Sequence, residues 1–221
     1  MNLVIQRIEE ALNIQENAGS FIEIVIEDLG FSYGKPVAAV TIYKCLVNWN
    51  YFQAERTSLF DQLIQFFDPE NDDQHNNDKM AYWLSQASTL LFLIQQSLNL
   101  HGASSVPKPP PPTSPSGKIK MQLTASLEKI YGILLDNLKE ELRLLLGLCI
   151  QPMLKSKKVR RSQQSVNVSQ VNHWRGIVDR LDTLSNTLKE NFVPPILVQK
   201  IFTQLFSFIN AQLLNRHENA M

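Results

Sequence analysis

One stretch, residues 78–100, DKMAYWLSQASTLLFLIQQSLNL, constrains the fold of this chain more than any other. Met80, Trp83, Leu84, Ala87, Leu90, Leu91, Ile94 and Leu98 recur at intervals of three and four, the spacing of one helix face. Ser85, Gln86, Gln95 and Gln96 punctuate the run, so it is not a bilayer span, which needs about 20 mostly apolar residues. Asp78 is placed to cap the first unpaired N–H groups, and Gly102 stands just past the end. A helix with this much apolar surface has to be covered by other helices. It is a core element and carries no catalytic group.

The rest of the chain supplies those helices. Residues 3–12 read as a short amphipathic helix, with Val4, Ile5, Ile8, Ala11 and Leu12 on one side. Residues 21–29 resume an apolar pattern that Gly30 can end. Their first six residues alternate and fit a strand as well; helix is preferred because everything downstream is helical. Gly34-Lys35-Pro36 reads as a turn with proline at a helix start. Residues 38–49 follow in helical register through Ala39, Ile42, Tyr43, Leu46 and Trp49. Ser58-Leu59-Phe60-Asp61 fits a capping box for a helix bearing Phe60, Leu63, Ile64 and Phe67.

The segment DPENDDQHNND, residues 68–78, raises the question of a metal site. It has neither the glycine and terminal glutamate of an EF-hand nor a zinc-ligand spacing, so it reads as a solvated loop. Residues 102–118, GASSVPKPPPPTSPSGK, hold six prolines and one sizeable apolar residue, Val106. Such a stretch builds no packed core and is expected to be a disordered, polyproline-like linker. Its proline spacing also suits aromatic-lined peptide grooves.

Past the linker, residues 121–148 form a long helix with Leu123, Leu127, Ile130, Tyr131, Leu134, Leu138, Leu142, Leu145 and Leu146 along one side, and Pro152 stops it. A basic run follows, containing Lys157, Lys158, Arg160 and Arg161. It reads first as a solvated connection. The alternatives are contact with acidic lipid or an acidic partner, or phosphorylation at Ser162. Trp174, Ile177, Val178, Leu181, Leu184 and Leu188 mark the next helix. Pro194 and Pro195 open the last, whose face is Val198, Ile201, Phe202, Leu205, Phe206, Ile209 and Leu213.

Composition excludes several function classes. Lysine plus arginine and aspartate plus glutamate each total 21, so no net charge argues for nucleic acid. Cys45 and Cys149 both sit in apolar helical patterns and read as buried thiols of a reducing compartment. Residues 1–17 carry Glu9, Glu10 and Glu16 and do not make a signal peptide, which gives a cytoplasmic expectation. The nearest approach to a phosphate cradle, GFSYGKP at residues 30–36, lacks the spacing and the magnesium-holding residue. His75, His101, His173 and His217 are scattered without paired-ligand or triad spacing. No catalytic, cofactor-binding or metal-ligating residue is assigned and no cofactor is expected. The fold expected is all-α, an elongated helical bundle of amphipathic helices, and the function that of a binding module.

Several stretches also match as words. GKPVAA (34–39), IYKCL (42–46), ERTSLFD (55–61), YWLS (82–85) with STLL (88–91), LEKIYG (127–132), LGLCIQ (146–151), LKENFVPP (188–195) and QKIFTQ (199–204) resemble the dilute-type globular tail of plant class XI myosins. The resemblance runs from about Phe21 to Asn215. It implies a helical bundle that binds vesicle or organelle adaptors, or small GTPases, at the end of an actin-based motor, and that contacts a myosin head or another tail. It implies vesicle or organelle association along actin. On this reading residues 1–101 and 119–215 are the N- and C-terminal helical parts of the tail, 102–118 the linker and 216–221 a short end. No motor head, neck or coiled coil is present, so neither ATPase nor actin binding is implied. The family's tail has an aromatic-Pro-Ala-Leu stretch before the Leu127 helix, absent here, and continues past Asn215; the chain is expected to be a truncated tail. The runner-up function is a non-motor protein that sequesters myosin tails or adaptors, or a non-functional fragment.

Overall fold

The computed structural model describes residues 30–48, 64, 67, 74–101, 115–149 and 163–218. The expected helices at 3–12 and 21–29, the capping box at 58–61 and the basic run lie outside them. Two compact units divide the chain, Met1–Gly132 and Ile133–Met221.

The first unit opens on a small ribbon. Strands β1 (Phe31–Ser32) and β2 (Lys35–Pro36) pair antiparallel, Phe31 with Pro36 and Ser32 with Lys35. Tyr33 and Gly34 join them with φ of 51° and 71°, the positive values at both central positions that a type I′ turn requires. The sequence reading placed a plain turn at 34–36 and missed this pairing. It is too short to alter the all-α class.

Helix α1 (Val37–Asn48) starts directly on Pro36, which has no side-chain oxygen to serve as a cap. Its first N–H groups are satisfied from elsewhere. Val37 N donates to the Gly30 carbonyl at 3.2 Å, across the ribbon. Ala39 N donates to Gln86 Oε1 at 3.0 Å, from the neighbouring helix α2 (Asn77–His101). Gln86 is fully buried to make that bond. Ala38, Ala39, Ile42 and Leu46 form the buried face of α1, which packs on α2.

α2 is more enclosed than one apolar stripe predicts. Met80, Leu84, Ala87, Leu90, Leu91 and Ile94 are buried as expected, and so are Ala81, Ser85, Gln86 and Ser97. Ser85 and Gln86, the polar breaks in the apolar run, are thus enclosed with it. Gln86 turns inward because the open end of α1 needs its oxygen. Trp83 is half-buried and lies at the stripe's margin, its ring edge-on to Phe67 (5.7 Å between centroids) and to Tyr82 (5.3 Å). The cap is also corrected, from Asp78 to Asn76. Asn76 Oδ1 accepts from Asp78 N at 3.1 Å and Lys79 N at 3.2 Å, and its carbonyl accepts from Met80 N. Asp78 instead sits in the first turn, where a carboxylate suits the positive end of the helix dipole.

Helix α3 (Pro115–Cys149) begins inside the stretch expected as linker and six residues before the expected start at Met121. Proline at the first helical position lacks only an N–H that has no intrahelical partner there anyway. Ile119, Leu123, Ile130, Leu134, Leu138, Leu142, Leu146 and Cys149 run along its buried side.

In the second unit, α3 is followed by α4 (Gln163–Glu190) and α5 (Pro195–Glu218). α4 lies antiparallel on α3. Arg180 of α4 pairs with Glu141 of α3, and Gly176 of α4 meets Leu145 of α3, where an added Cβ would sit 3.8 Å from Leu145 Cδ2. Arg143 of α3 reaches the Phe208 ring of α5, 5.7 Å from its centroid. α4 ends in a Schellman arrangement: Val193 N donates to the Leu188 carbonyl and Phe192 N to the Lys189 carbonyl. The hydrophobic contact positions of that motif, Leu188 and Val193, are both buried. Phe192 occupies the left-handed position at φ 50°, where glycine is the usual residue. The Pro194 carbonyl then accepts the first bonds of α5, and Pro195 is its first residue.

Candidate partner-binding surface

The placement of reactive groups decides what kind of site this chain can hold. Among the described residues, no three His, Cys, Asp or Glu side chains gather to hold a metal ion. Burial pushes the Tyr82 and Tyr131 phenols and the Cys149 thiol upward. For Tyr82, a hydrogen bond with Gln86 offsets part of that rise. A general acid, base or nucleophile is tuned toward neutrality; these three move away from it. Ion pairs such as Lys139–Asp136, at 3.5 Å, and Arg143–Glu140 lie along the outer side of α3 and organise a surface, not a cleft.

The exposed apolar residues are the informative feature. Most belong to the second unit: Leu144 and Leu148 on α3, Val171, Trp174 and Val178 on α4, Phe192 at the corner, and Ile196, Phe206 and Leu214 on α5. Val171, Trp174 and Val178 are spaced i, i+3, i+7 and so share one side of α4. At about 100° per residue, that side flanks the buried stripe of Ile177, Leu184 and Leu188 on the edge away from Gly176 and Arg180, which face α3. Trp174 and Val178 were expected in the core stripe. They are 39% and 55% exposed, so α4 carries apolar surface beyond what its own unit covers.

α5 repeats the pattern. Ile201, Leu205 and Ile209 are buried, as read from the sequence, whereas Phe206 is 51% exposed and stacks at a tilt on half-buried Phe202. Ile196 and Leu214, both exposed, fall five turns apart on the opposite side from the buried stripe. From Pro195 to Asn215 the helix carries one charged residue, Lys200. A surface helix normally sets charge opposite its apolar stripe. α5 instead presents neutral polar and apolar groups all round, the composition of an interface core, which is depleted in charge and enriched in aromatics.

The residue types alone carry a signal for this surface: a single charge from Pro195 to Asn215 on α5, and Val171, Trp174 and Val178 in series along one side of α4. The candidates singled out for an anionic partner, Lys157, Lys158, Arg160 and Arg161, lie outside the described residues.

No protein-family model matches the chain. Three myosins of Arabidopsis thaliana are similar over nearly all of it: Myosin-14 at 44% identity over 91% of the chain, Myosin-13 at 43% over 90%, and Myosin-8 at 40% over 90%. The chain is homologous to plant myosin tail regions. It spans only 15–16% of the length of these relatives. The matched region is the non-catalytic part of a myosin. No helix among the described residues is long and apolar enough to cross a membrane.

Proposed function

We propose that the chain acts as the cargo- or adaptor-binding globular tail of a class XI-type myosin, the dilute-type module that links vesicles or organelles to actin-based transport. The observation that carries this reading is the uncovered apolar surface of the second unit, with Trp174 and Val178 on α4 and Ile196 and Phe206 on the almost uncharged α5. Aromatic and aliphatic residues exposed in series at helical spacing suit an apolar partner surface. The partner class proposed, on the resemblance to the myosin tail, is vesicle or organelle adaptor proteins, small GTPases among them. In this reading the basic run at Lys157, Lys158, Arg160 and Arg161 adds an electrostatic contact with acidic adaptors or anionic lipid.

The test uses the full immobilised chain with a plant vesicle fraction. Wild type retains vesicle membrane markers, and Trp174→Ser with Val178→Ser loses most of them at unchanged helical content. Replacing the four basic residues by Ser weakens retention mainly at low salt, as an exposed charge contact requires. Recovery of myosin heads in place of vesicle markers, or of nothing, overturns the reading in favour of a sequestering role or an inactive fragment.

A further inference from the structure

Gly132 lies at the midpoint of the 35-residue α3. Neither common reason for a glycine applies there. Its φ is not among the positive ones, and an added Cβ would meet nothing within 4 Å. What glycine does supply in a helix interior is a looser backbone and more exposed peptide groups. The position coincides with the division of the chain into its two compact units, between Gly132 and Ile133. Beside it, the Tyr131 hydroxyl is buried without a hydrogen-bond partner. A buried polar group left unpaired disfavours the conformation that holds it, and any conformation that brings it to water or to an acceptor relieves that cost.

We propose that α3 is jointed at Gly132: the helix opens and bends at its midpoint, and the Tyr131 hydroxyl finds its partner in the bent form. The glycine lowers the resistance to bending, and the orphaned hydroxyl biases the helix toward it.

Nitroxide labels on Met121→Cys and Leu144→Cys, both at exposed positions, read the bend in the full chain with Cys45→Ala and Cys149→Ala. On a straight helix the labelled backbones are about 35 Å apart. The expected result is a distribution with a second, shorter component. Gly132→Ala reduces that component about fivefold, the equivalent of the propensity difference between the two residues. Tyr131→Phe reduces it as well, while Gly176→Ala, a mid-helix glycine of α4, leaves it unchanged. Hydrogen exchange on the chain with its native cysteines gives a second readout: amides around 132 exchange faster than the rest of α3 and slow about fivefold in Gly132→Ala. A single narrow distance, equal narrowing by Gly176→Ala, or uniform protection along α3 overturns the proposal.

Discussion

Phe192 is the residue whose backbone and side chain disagree most. The Schellman turn that ends α4 needs a left-handed residue there, and phenylalanine adopts φ 50° at a steric cost that glycine escapes. The side chain is about half exposed, so its contacts offset only part of that cost. Comparing Phe192→Gly with Phe192→Ala isolates the backbone, since both remove the ring. The glycine variant is expected to be more stable by about 1 kcal/mol, read as a higher urea midpoint at equal slope. Equal midpoints would mean that the turn relaxes to another conformation and stores no strain.

At the scale of elements, the helices were legible because apolar residues at intervals of three and four admit one local structure. Val37–Asn48, Asn77–His101 and Pro195–Glu218 follow the periodicity closely, whereas Gln163–Glu190 begins well before Trp174, the first residue of its apolar pattern. What periodicity cannot reveal is which polar residue a neighbouring element will need. In the sequence Gln86 is only a polar break in an apolar run, and its bond to the start of α1 depends on an element 47 residues away. The Tyr33–Gly34 ribbon was illegible for a similar reason: four paired residues carry no pattern. Of the candidate surface, the apolar residues were visible in the sequence, but Trp174, Val178 and Phe206 were assigned to the core. A stripe that widens into a flank looks the same as one that is wholly covered. The same distinction ranks two neighbours on α2. Leu84 is fully buried, and Leu84→Ala is expected to cost about 2–5 kcal/mol. Trp83 stands half-buried against Phe67 and Tyr82, and Trp83→Ala forfeits those ring contacts at about 0.5–1.5 kcal/mol each plus part of its area burial. Its variant therefore remains folded with a lowered melting temperature. Aggregation of Trp83→Ala under conditions where Leu84→Ala folds would reverse the ranking.

Over the whole molecule, the two units carry different titrating groups, and alkaline pH separates them. Cys149 belongs to the second unit, and burial raises its thiol above the ordinary 9.0. Tyr82 belongs to the first, and burial raises its phenol above 10.0. In both cases the folded state binds its proton more tightly than the unfolded state. The stabilisation is complete below the ordinary value and is lost as pH rises through the raised one. Stability of the second unit is thus expected to fall from about pH 9 upward and that of the first from about pH 10. Helical signal and tyrosinate absorbance followed together in an alkaline titration should show helix loss beginning before tyrosinate appears. Cys149→Ala removes the early phase and leaves the later one, whereas Tyr82→Phe acts on the later phase alone. A single step in which helix and tyrosinate change together, unaffected by Cys149→Ala, would show that the units unfold as one and that the thiol contributes nothing to the loss.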